Sequence, residues 1–130
     1  MKPITAEWIE KAEADYATML RESHVTDRPN WDGVCFHAQQ CAEKYLKARL
    51  SEAGVSFGKI HDLVQLLDAV ISIEPAWKEY QRHLAYLTEF AVTYRYPGDS
   101  ADQEMALQAI EFCTAFRRVA QKCFERQSGR

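Results

Sequence analysis

The chain has 130 residues and a mass of 15.0 kDa, the size of one domain over residues 1–130. A composition of 47% hydrophobic and 27% charged residues excludes a disordered chain. Sixteen Lys and Arg against nineteen Asp and Glu leave a net charge of −3, so any nucleic-acid contact has to come from a local patch rather than a basic coat.

In chain order, the first helix is predicted from about Thr5 to about His24, with Thr5 as cap and Trp8, Ala12, Tyr16 and Met19 at helical spacing. The stretch Val25–Asn30 breaks it. A second helix runs from Trp31 to about Ala53, striped by Val34, Ala38, Cys41, Tyr45 and Ala48 and ended by Gly54. A shorter third helix covers Asp62 to Ile73, with Leu63, Leu66, Leu67 and Val70 inward. Pro75 starts a fourth, long helix from about Ala76 to about Thr93. After the turn Arg95-Tyr96-Pro97-Gly98-Asp99, Ser100 and Gln103 read as a capping box for a fifth helix reaching about Gln127. No stretch alternates with period two, which predicts an all-α fold: an antiparallel up-and-down bundle of four long helices plus one shorter helix.

No apolar run is long enough to span a bilayer, and acidic residues interrupt the N-terminus before a signal peptide can form. Cys35, Cys41, Cys113 and Cys123 form no C-x-x-C pair and sit among apolar neighbours, the pattern of reduced, buried thiols in a cytoplasmic protein. No phosphate loop, H-E-x-x-H, Glu-x-x-His or G-x-S-x-G occurs, so the sequence offers no metal ligands, no cofactor site and no assigned catalytic residue.

Three stretches carry chemistry. In Phe36-His37-Ala38-Gln39-Gln40-Cys41-Ala42-Glu43-Lys44-Tyr45-Leu46-Lys47-Ala48, the residues His37, Gln40, Lys44 and Lys47 follow one side of a helix. Such a column suits a phosphate or a nucleotide edge; it equally suits a solvated face with Glu43 and Lys47 as an i,i+4 ion pair. In Lys59-Ile60-His61-Asp62-Leu63, a helix start offers free N–H groups to an anion, with His61 as a donor to phosphate or an interhelical bonding residue, and Asp62 as a cap. In Tyr94-Arg95-Tyr96-Pro97, the arginine fork fits a phosphate or ties the turn to an acidic residue, and the tyrosines stack on a base or pack the bundle end. The basic C-terminal stretch from Arg117 to Arg130 complements the dipole of the last helix.

Together, in this order and before a last long helix, the three stretches resemble the HEPN family (higher eukaryotes and prokaryotes nucleotide-binding domain) over about Ile4 to about Phe124. The resemblance implies a helical bundle with one extra short helix, commonly a homodimer, and for proteins of this size a minimal nucleotidyltransferase as partner in a toxin–antitoxin-like pair. The leading reading is a module that binds a nucleotide or RNA phosphate through His37, Gln40, Lys44, Lys47, His61, Arg95 and Tyr96, with no membrane contact. Family members that cleave RNA carry an arginine followed, after four to six residues, by a histidine. This sequence lacks that pattern: Arg21 lies too close to His24, Arg28 too far from His37, and no histidine follows Arg95. Cleavage is therefore not carried over. The alternatives are a divergent metal-independent endoribonuclease toxin, or a structural protein whose polar column is a dimer or partner interface.

Overall fold

One helix is enclosed by most of the others, and that fact organises the molecule. A computed structural model describes residues 1–92 and 96–128. Its α-helices are α1 (Pro3–Ser23), α2 (Trp31–Glu52), α3 (Leu63–Ile71), α4 (Gln81–Thr88) and α5 (Gln103–Ser128), and no strand occurs among the described residues. The fold is an all-α bundle with α2 at its centre, packed along α1 and α5 and met from the remaining side by α3, α4 and the short turns around them. Hence Val34, Ala38, Cys41, Tyr45 and Ala48 are fully buried, and so are Cys35, Leu46 and Leu50 on the flanks of that stripe.

Local chemistry sets the ends. Asn30 caps α2, its Oδ1 accepting from Gly33 N at 2.9 Å. After Glu52 the chain turns through Gly54 at φ 72°, the left-handed region that glycine enters without steric cost. Asp62 caps α3, and Leu63, Leu66, Leu67 and Val70 then bury completely. Each such side chain stabilises the fold by roughly 1.5–3 kcal/mol, which makes this nine-residue helix a firm anchor.

Three expectations are corrected. Thr5 does not cap α1: Pro3 occupies the first turn, Lys2 stands at the cap without a side-chain bond, and Thr5 lies inside the helix, fully buried. Ser100 does not cap α5; Asp102 does, its Oδ1 accepting from Met105 N at 2.8 Å. The fourth long helix is instead a 3₁₀ segment, Pro75–Tyr80, then α4, then a second 3₁₀ turn, Glu89–Ala91. The tighter winding eclipses side chains three apart. Trp77 and Tyr80, three apart, both pack on Phe116, with ring centroids at 5.3 and 6.1 Å. No helix among the described residues is long and apolar enough to cross a membrane.

Candidate functional site

Because α2 is central, its polar column does not face solvent; it runs into the seams with α1 and with the start of α3. Two carboxylates meet it there. Asp15, on the inner face of α1, accepts from His37 Nδ1 at 2.7 Å and also takes Lys44 Nζ. Glu43 on α2 takes Lys47 Nζ at 2.9 Å, Gln39 Nε2 at 2.9 Å and His61 Nδ1 at 3.0 Å. Gln40 extends the second group by donating to Gln39 Oε1 at 2.7 Å. The expected Glu43–Lys47 ion pair is present but buried, with both side chains 6% exposed. Lys47 Nζ also lies 5.7 and 5.5 Å from the ring centroids of Trp8 and Phe57. Burying an ammonium costs several kcal/mol unless an anion accompanies it, and each lysine of the column has one.

The electrostatics follow. Burial raises the Glu43 carboxyl, but hydrogen bonds from His61, Lys47 and Gln39 and the Lys47 charge outweigh it, so its pKa lies below the usual carboxylate range. One lysine balances each carboxylate. The histidines are then the members of the two groups with a ring edge to spare: the His37 side chain is 31% exposed and that of His61 67%. A histidine held at Nδ1 by a carboxylate keeps Nε2 in a defined direction for a further bond.

His61 stands at the edge of a cleft of about 310 Å³ lined also by Asp62, Thr88, Glu89, Ala91 and Val92. The start of α3 follows directly from its lining residue Asp62. Leu63 N donates to Thr88 Oγ1 at 3.0 Å, while Val64 N and Gln65 N donate to Asp62 Oδ1 at 2.8 and 3.3 Å. Asp62 is thus the expected cap. These bonds occupy the backbone donors of Leu63, Val64 and Gln65, and Leu66 N on Asp62 O at 3.1 Å is the first bond of the helix itself, so none of these N–H groups is open to an anion. Of the remaining predicted site residues, Tyr96 is 61% exposed. Arg95, with Tyr94, lies outside the described residues.

Residues beyond the predicted set complete the picture. Asp15 falls within the apolar repeat Ala12, Tyr16, Met19, and a lone acid on an inner stripe was the available signal. Arg117, assigned to the helix dipole, forms a two-pronged bond to Glu13 at 2.8 and 2.7 Å and stacks 3.9 Å over the Tyr16 ring. Tyr45 OH donates to the same carboxylate, and Tyr16 OH bonds Thr114 Oγ1 at 3.1 Å, closing α1 on α5. The Arg117 hydrogen bond holds Glu13 below the usual carboxylate range against a raising effect of burial. All four cysteines are free and buried, and burial pushes the Cys35 thiol up to about 12. No group of three or more His, Cys, Asp and Glu is placed to hold a metal ion among the described residues.

A family model, the HEPN domain, matches residues 5–123. No curated protein and no solved structure matches the chain.

Proposed function

This chain belongs to the HEPN domain family, and from that premise we propose that it is a cytoplasmic nucleotide- or RNA-phosphate-binding module. In this reading it acts as a homodimer beside a minimal nucleotidyltransferase, in a toxin–antitoxin-like pair. The observation that carries the binding role is His61: a ring fixed at Nδ1 by buried Glu43, two-thirds exposed, at the edge of a cleft. His61 supplies a directed bond at Nε2, and His37 a second one along the column. Lys44 and Lys47 act indirectly, by pairing with Asp15 and Glu43, the carboxylates that hold the rings in place. Gln40 ties the column to the Glu43 group. Arg95 and Tyr96 follow Val92 of the cleft by a few residues in sequence, and supply the guanidinium for phosphate and a ring for a base.

A thermal-shift panel of mononucleotides and short RNAs tests this. A ligand at about a hundredfold excess over its Kd stabilises by about 2.7 kcal/mol. The expected result is an upward shift in the wild type that is lost in His61→Ala and Arg95→Ala. No shift with any ligand, or equal shifts in all three proteins, overturns the reading.

The His61–Glu43 pair also supports a second reading, a divergent metal-independent endoribonuclease, because a carboxylate-held imidazole is suited to take a 2′-hydroxyl proton. Total RNA left intact by micromolar protein in the presence of chelator removes it. The commitment of both lysines to buried carboxylates favours the third, purely structural reading of the column, which predicts no ligand shift at all.

A further inference from the structure

The cleft beside His61 is not lined as a phosphate pocket. Its other walls are Asp62, Thr88 and Glu89 and the apolar Ala91 and Val92, the last 57% exposed. The backbone donors next to it are taken: Leu63 N bonds Thr88 Oγ1, and Val64 N and Gln65 N both bond Asp62 Oδ1. The open groups are acceptors. Glu89 is exposed on the 3₁₀ turn that follows α4 and enters none of the ion pairs among the described residues, so both of its carboxylate oxygens face the cleft and solvent unengaged. Two carboxylates in a space of about 310 Å³ repel a phosphate from its interior and attract N–H groups. That volume is at the lower end of the range for ligand pockets, enough for a base rather than a whole nucleotide.

We propose that this cleft selects guanine: Glu89 accepts from the N1–H and the N2 amino group of the base, while the attached phosphate stays outside, at the exposed edge of His61. The choice of base follows from the donors on the Watson–Crick edges. Guanine alone presents two adjacent donors, which match the two oxygens of one carboxylate. Adenine and cytosine each present one amino donor beside a ring-nitrogen acceptor, whose lone pair opposes the second oxygen. Uracil presents one N–H between two carbonyl oxygens. Asp62 is the poorer fork, because its Oδ1 already takes two backbone donors. Ala91 and Val92 supply apolar surface for the rest of the base. Single-stranded RNA is the form in which this edge is free to be read. The base assignment rests on the binding function proposed for His61 and goes beyond it by naming the nucleotide.

Fluorescence anisotropy on the full chain tests it, with end-labelled pentaribonucleotides UUGUU, UUAUU, UUCUU, UUUUU and UUIUU, where inosine lacks the N2 amino group. At about 50 mM salt the wild type is expected to bind UUGUU about tenfold or more tighter than the adenine, cytosine and uracil forms, with inosine between. Glu89→Gln puts a donor where an acceptor stood and should remove the preference by weakening UUGUU alone. His61→Ala should weaken all five by a similar factor and keep their order. Both positions are exposed, and a thermal melt by circular dichroism checks that each variant is folded. Equal binding of all five by the wild type overturns the guanine assignment and leaves the phosphate role of His61 standing. A guanine preference unchanged in Glu89→Gln overturns Glu89 as the reader. No binding of any pentamer overturns the assignment together with the His61 function, and favours a basic side chain of a protein partner as the group that the two carboxylates receive.

Discussion

Asp15 and Glu43 each bind one lysine and one histidine, yet they leave their histidines in different circumstances. His37 is in the middle of a long helix, its ring edge-on to Phe36 with centroids 5.5 Å apart, and its side chain is 31% exposed. His61 sits in the turn before α3, fastened to the interior through one nitrogen, and is 67% exposed. The first pairing is built mainly to hold α1 against α2. The second joins a buried charge cluster to a cleft. The lesson is that the same side-chain chemistry is structural or available according to how many sides of the ring the backbone encloses.

The largest expected effect that separates the two is on stability. Glu43→Ala strands Lys47, whose side chain is 6% exposed, and should cost about 3–5 kcal/mol in denaturant unfolding. Asp15→Ala should cost less, about 1–3 kcal/mol, because Lys44 at 21% exposure can turn its ammonium to water. Equal losses would erase the distinction. Adding Lys47→Met to Glu43→Ala should recover much of the loss, since the desolvated charge is then gone.

Acid sensitivity should sharpen the contrast. The Glu43 carboxyl titrates lower in the folded protein than in the unfolded chain, so its contribution is complete above the ordinary carboxylate range. It disappears as pH falls through the lowered folded value. Stability measured against pH should therefore fall less steeply on the acid side in Glu43→Gln than in the wild type; an unchanged slope would show that Glu43 is not held ionised by its partners.

The smallest stability effects belong to the histidines. His37→Ala should cost about 1 kcal/mol, the worth of one hydrogen bond in a packed seam. His61→Ala should cost no more than about 1 kcal/mol, because Glu43 keeps its bonds from Lys47 and Gln39 when the exposed ring is lost. A His61 substitution that unfolds the protein would place it with the structural residues.

Much of the fold was readable because α3 and the inner faces of α1, α2 and α5 repeat apolar residues with helical period, and Asp62, Gly54 and Pro75 mark ends by local chemistry. The fourth helix departs from its apolar periodicity: Pro75–Tyr80 and Glu89–Ala91 wind as 3₁₀ turns around α4, and the packing of Trp77 and Tyr80 on Phe116, distant in sequence, is invisible to a local pattern. The site was only half readable. Spacing put His37, Gln40, Lys44 and Lys47 on one side of a helix, but a one-helix pattern cannot show that the helix is central and its polar side buried. Asp15, 29 residues before Lys44, is joined to it by folding alone. Arg117 reaches Glu13 across 104 residues of chain, and a cluster of C-terminal bases gave no sign of that pairing.

The central claim is that His61, held from within by Glu43, offers its outer nitrogen to a nucleotide or RNA phosphate. Its most direct measurement is a titration of the histidine ring resonances by NMR with mononucleotides and short RNAs. The account predicts a saturable shift of the His61 Nε2 signal, larger than that of His37 and absent for His24, which is bonded to the Leu20 carbonyl at 2.7 Å. Saturation of binding with His61 unmoved, or no binding by any of these ligands, would contradict it.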